Sequence, residues 1–64
     1  MHEQFEAPYL NQKQLAQRWT LSSRTLERWR SVGWGPSYLK LNGRVIYHIE
    51  DILEFEQQHR HSLN

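Results

Sequence analysis

The sequence predicts a small α+β domain of three helices with a two-stranded β-hairpin between the second and the third. Residues Ser22 to Arg30, SSRTLERWR, have the spacing of an amphipathic helix. Asn42-Gly43 separates two β-prone runs, and Asn11 and Ser22 stand as capping residues directly before helical periods. A chain of 64 residues forms one domain, spanning 1–64, whose core buries roughly 60% of the surface of the unfolded chain. There is no cysteine, so neither disulfides nor thiolate zinc can staple it, and its eight aromatic residues are expected to supply much of the burial.

Residues 1–8 read as an N-terminal arm in which Pro8 blocks helix, with Tyr9 and Leu10 following to dock on the core. The first helix is expected over 12–19. Asn11 is its N-cap, Gln14 reaches back in a capping box, and Leu15, Ala16 and Trp19 share a face. Thr20-Leu21-Ser22 forms a turn. The second helix is expected over 23–32: with Leu26 at 0° and about 100° per residue, Trp29 shares the apolar side, while Arg24, Glu27, Arg28 and Ser31 occupy the opposite one. Ser22 caps its start, and Gly33 suits the left-handed conformation that ends a helix.

Gly33-Trp34-Gly35-Pro36 then turns the chain. The hairpin is expected over 38–47, with Asn42-Gly43 in a type I′ turn because both central residues need positive φ. A third helix is expected over 49–59. Glu50 and Asp51 sit at its positive end, Ile49, Ile52, Leu53 and Phe55 form its apolar face, and residues 60–64 fray.

The net charge of +1 conceals a segregation. Residues 11–48 carry seven Lys and Arg against Glu27 alone, a net +6, whereas Glu3 and Glu6 precede them and residues 49–64 carry a net −3. A basic middle between acidic ends suits an anionic partner approached from one side, with the ends turned away.

Helix, three-residue turn, helix and basic hairpin together describe a winged helix-turn-helix. A DNA major groove admits one helix, which reads base edges while the preceding helix braces it. Arg24 and Arg28 lie one turn apart on the outward face: either pairs with guanine, or one holds a phosphate while the other reads a base. Glu27 either accepts from a cytosine amino group or pairs with a neighbouring arginine. Ser23 and Thr25, at the helix N-terminus, are candidate phosphate contacts, and Lys13, in the first helix, is a further candidate DNA-binding residue. Lys40, Asn42, Gly43 and Arg44 form the wing that meets the backbone or an adjacent minor groove.

The run from Tyr9 to Phe55 resembles the short MerR-like winged-helix proteins of phages and mobile elements, the AlpA-type regulators and excisionases. The matching points are Tyr9-Leu10, Leu15-Ala16, Ser22 with Arg24-Thr25-Leu26 and Trp29, Gly33 followed by Gly35-Pro36, Lys40 and Gly43, and Tyr47 with Asp51. The resemblance implies sequence-specific binding of double-stranded DNA by a transcription regulator or an excisionase that steers recombination. Partners beyond DNA would then be an integrase or recombinase, or further copies of the chain on adjacent sites. The family commonly has glycine where Thr20 stands. A β-branched residue resists the left-handed conformation, so the first helix is expected to end differently here.

Enzyme function lacks parts: there is no cysteine, no glycine-rich phosphate loop and no nucleophile–base–acid pattern. His59 and His61 are two residues apart, so they do not share a helix face and are not expected to bind metal. No cofactor, metal or small-molecule ligand is expected. The runner-up is a protein-binding adaptor that uses the same fold without DNA contact, through Trp19, Trp29 and Trp34. Their spacing instead suits a core. No segment has the length of a membrane span and MHEQFEAPYL lacks the pattern of a signal peptide, so the expected location is the cytoplasm, at the nucleoid when bound.

Overall fold

The computed structural model of the chain describes residues 8–61. Strand β1 (Tyr9–Asn11) leads into α1 (Gln12–Trp19), then α2 (Ser23–Ser31), β2 (Leu39–Leu41), β3 (Arg44–His48) and α3 (Ile49–Gln58). The three helices and the α2–β2–β3–α3 order of a winged helix stand as expected. Residues 1–7 of the expected arm and 62–64 of the expected tail lie outside the described residues, and Arg60 and His61 have no regular structure.

The local signals act as their chemistry requires. Asn11 Oδ1 accepts from the Gln14 amide and Gln14 Oε1 from the Asn11 amide, both at 2.8 Å, which completes the capping box on α1. Ser22 Oγ accepts from the Thr25 amide at 3.2 Å and caps α2. That helix stops at Ser31, one residue early, with Val32 as its C-cap and Gly33 following at φ +74°. Asn42 and Gly43 have φ of 51° and 80°, the signs of a type I′ turn, and β2 and β3 pair with Leu41 opposite Arg44.

Two expectations are corrected. Tyr9 and Leu10, expected only to dock on the core, form a third strand together with the N-cap Asn11: β1 pairs antiparallel with β3, Leu10 opposite Tyr47, so the sheet order is β1-β3-β2. The Ile49 amide donates to the Pro8 carbonyl at 2.7 Å and continues the pairing beyond the strand. Thr20, in turn, adopts the left-handed conformation it was expected to avoid, with φ 60° and ψ 41°. Leu21 donates to the Ala16 carbonyl at 2.8 Å and Thr20 to that of Gln17 at 3.2 Å, the paired closure of a Schellman end. Those bonds satisfy helix-end carbonyls and offset a conformational cost of about 1–2 kcal/mol.

Leu15, Ala16, Leu26, Tyr47 and Ile52 form the buried core, and Leu10, Trp19, Leu21, Trp29, Val45 and Ile49 pack around it. Aromatic burial is less complete than expected. Trp19, Trp29 and Phe55 are half-buried, and Trp34, 48% exposed, meets Trp29 edge-on at 4.6 Å. Gly35 permits that cluster, since a Cβ there would stand 3.2 Å from Trp29 Cε3. Leu53 is 50% exposed rather than part of the α3 contact face, for a geometric reason. The inward stripe of α3 runs through Ile49, Ile52, Phe55 and Glu56, and Leu53 lies beyond its margin, about 100° around the helix from Ile52.

Glu56 on that stripe ties α3 to α1. Its carboxylate accepts from Arg18 Nε at 2.7 Å, Arg18 Nη2 at 3.0 Å and Trp19 Nε1 at 2.6 Å. The bonds from Arg18 first and Trp19 next hold the Glu56 pKa at about 2, and the carboxylate in turn raises that of Arg18. The folded-state value lies below the ordinary one, so the stabilisation is present above about pH 4.5 and is lost as pH falls towards 2.

Glu56→Gln is expected to cost about 1 kcal/mol at neutral pH, a modest figure because the pair is partly open to solvent. In urea melts the wild type should lose this advantage between about pH 4.5 and 2, and equal pH dependence in both proteins would refute the role of the clasp. Thr20→Gly removes the left-handed penalty. It is expected to raise stability by about 1 kcal/mol, a shift of about 4–8 °C in Tm for a domain of this size, as read by circular dichroism.

Candidate nucleic-acid interface

Helix α2 is held with one side down and the other outward. Leu26 is 1% exposed in the core, and Arg24 and Arg28 project from the exposed crest about 160° and 200° around the helix from it. Among the described residues no carboxylate forms an ion pair with either arginine, the Arg18–Glu56 pair standing elsewhere. Among the described residues, two guanidinium groups one turn apart thus present donor forks with no anionic partner.

Beside this crest, an open cleft of about 670 Å³ is lined by one flank of α2, by Gly43 to Ile46 of the wing, and by β1 and the start of α1. Lys13, Ser23, Glu27, Gly43 and Arg44, which the sequence marked from three separate segments, all line it. Arg24, Thr25, Arg28, Lys40 and Asn42 do not. Lys40 and Asn42 are exposed on the wing, the first opposite Val45 and the second at the tip. Thr25 is engaged within the helix cap: its amide donates to Ser22 Oγ, and its hydroxyl lies 3.0 Å from the same oxygen.

Glu27 does not pair with an arginine among the described residues, as one reading had it. Its Oε2 instead accepts from Gln12 Nε2 at 3.1 Å, joining the cleft wall of α2 to the first turn of α1. Gln12 is a cleft residue the sequence reading missed, and Arg30 is another. Arg30 Nη1 donates to the Tyr47 hydroxyl at 2.9 Å, and its guanidinium carbon lies 5.7 Å from the Tyr38 ring centroid. A signal for it existed: Arg30 is one turn beyond Leu26, on the inward side of an amphipathic helix, where a cation needs partners.

The cleft therefore gathers Lys13, Arg30 and Arg44 against Glu27, next to the Arg24 and Arg28 crest. The acidic residues of α3 are elsewhere. Asp51 and Glu54 rim a separate notch beside Gly35–Ser37, which shares no lining residue with the cleft. The charge segregation is less complete than the sequence suggested, because Arg18 of the basic segment is spent on Glu56 of the acidic one.

No described helix is long and apolar enough to cross a membrane. In comparison with known proteins, no family model matches the chain, and no curated protein matches it at a significant level.

Proposed function

We propose that the protein binds double-stranded DNA sequence-specifically, as a transcription regulator or an excisionase of a phage or mobile element. Helix α2 enters the major groove and the wing meets the backbone or the neighbouring minor groove. The observation that carries this reading is a pair of arginines, Arg24 and Arg28, that have no ion-pair partner among the described residues and stand on the crest of a helix braced by α1 and flanked by a basic wing. In an order common to DNA readers, the crest specifies and the surrounding cations position. Such a protein works at the nucleoid, alone, as adjacent copies, or with an integrase or recombinase.

Nothing in this reading calls for catalysis, a metal or a small-molecule ligand; the binding surface is charged side chains on a fixed scaffold. Regulator and excisionase differ in what the DNA does. An excisionase occupies adjacent sites and bends the duplex, whereas a regulator occupies a promoter site, and circular-permutation bending assays on selected sites separate the two.

Selection from a randomised duplex pool, followed by fluorescence anisotropy, is expected to yield a preferred sequence whose affinity falls steeply with salt. Affinity independent of salt, or no enrichment over random duplex, would overturn the reading. Arg28→Ala is expected to lose about 1–3 kcal/mol of binding free energy and to relax preference at one base position while the fold is retained. Unchanged affinity and preference in that variant would show that the reading face is placed wrongly.

A further inference from the structure

Arg30 is built into its position by two aromatic partners, contacts that no other cation of the cleft makes among the described residues. Its partner, the Tyr47 hydroxyl, belongs to a side chain only 1% exposed, and the Tyr38 ring lies against the guanidinium from the wing side. Arg30 is itself half-buried, yet it lines the cleft with Lys13, Ser23 and Arg44. Among the described residues no carboxylate lies within ion-pair distance of it, and the one carboxylate on the cleft wall, Glu27, is hydrogen-bonded to Gln12. A guanidinium has five N–H donors in a rigid plane, and Tyr47 uses one of them.

The cleft also has a defined place on a duplex. Each sugar-phosphate strand separates a major groove from a minor one, so with α2 in the first and the wing at the second, the strand between them must run through the α2–wing cleft. Arg30 sits about 40° around the helix from Leu26, too far inward to share the base edges with Arg24 and Arg28. We propose that Arg30 is a pre-oriented clamp for one backbone phosphate of duplex DNA, and that Tyr47 is its positioning residue. This inference rests on the DNA-binding reading above. The planar fork matches phosphate oxygens, and the Tyr47 anchor means that less side-chain freedom is lost on binding.

The test uses salt dependence as its readout, measured by anisotropy on a selected duplex and on a scrambled one, with each variant first shown to be folded by circular dichroism. Arg30→Gln, which keeps a hydrogen-bond donor but no charge, is expected to bind both duplexes about tenfold more weakly. The slope of log affinity against log salt should flatten by about one, with the ratio between duplexes unchanged. Arg30→Lys should restore the slope but not the full affinity, because the charge returns without the fork. Tyr47→Phe should keep the slope and lose several-fold in affinity. A purely structural hydroxyl would lower the melting temperature and leave binding of the folded protein intact, and that result would overturn the positioning role.

A scan of the selected duplex with single methylphosphonates keeps the question open to wild-type protein should a variant fail to fold. One neutralised phosphate on the strand between the two grooves is expected to cost the wild type about tenfold and Arg30→Gln nothing. Wild-type affinity and slope in Arg30→Gln, the absence of such a phosphate in the scan, or a changed ratio between duplexes would overturn the clamp. Failure of the wild type to bind any duplex would overturn the DNA reading beneath it.

Discussion

Tyr47 must be buried and must also find a partner for its hydroxyl, and the architecture follows from meeting both demands. Its strand, β3, is the centre of the sheet, pairs on either side with β1 and β2, and passes into α3 without a loop. The ring faces the core with Leu15, Leu26 and Ile52, so both helices of the helix-turn-helix and the third helix register against it. A hydroxyl left unpaired at that depth costs about 1–3 kcal/mol. Arg30 supplies the bond, and α2 is thereby fixed to the sheet by a polar contact as well as by Leu26. The rotation of α2 that satisfies Tyr47 is also the rotation that turns Arg24 and Arg28 outward.

Charge on this molecule is sorted by structural use. Arg18, one of seven cations in the basic segment, is committed to Glu56 and joins α1 to α3, so it adds nothing to the interface. Arg30 is held at the cleft by Tyr47 and Tyr38, with no carboxylate partner among the described residues. Glu27 would oppose an anion there, yet its bond to Gln12 gives it a structural use and fixes one carboxylate oxygen. The count of +6 therefore overstates the charge that the α2 and wing surface presents. What matters is which cations remain without an anionic partner and where the fold points them.

Features governed by contacts close in sequence were legible from sequence. The Asn11–Gln14 capping box, the Ser22 cap and the Asn42-Gly43 turn depend on residues within one turn or one hairpin, and each forms as its chemistry predicts. Strand β1 was not legible, because three residues cannot display a period and its partner lies 37 positions further along the chain at the Leu10–Tyr47 pair. Leu53 and Trp34 were misplaced for a related reason: helical spacing gives a face, but the packing partner decides how wide that face is. At the interface, the crest arginines followed from helical angle alone. The cleft brings together α1, α2 and the wing, so helical spacing could set Arg30 on the inward side of α2, but only the tertiary arrangement shows that it and Gln12 line the cleft.

Thr20 shows how strongly that arrangement constrains the chain. A β-branched residue would ordinarily end α1 in another conformation, and glycine would cost less at φ 60°. The direction in which the chain leaves α1 is nevertheless fixed by Leu21, which must reach the core while Ser22 stands free to cap α2. Only a left-handed residue between Trp19 and Leu21 lets the Leu21 amide return to Ala16 and closes the helix over so short a turn. The local strain at Thr20 and the bond between Arg30 and Tyr47 thus act at opposite ends of α2. One fixes where the helix begins and the other how it is rotated, and together they define the surface that its arginines present.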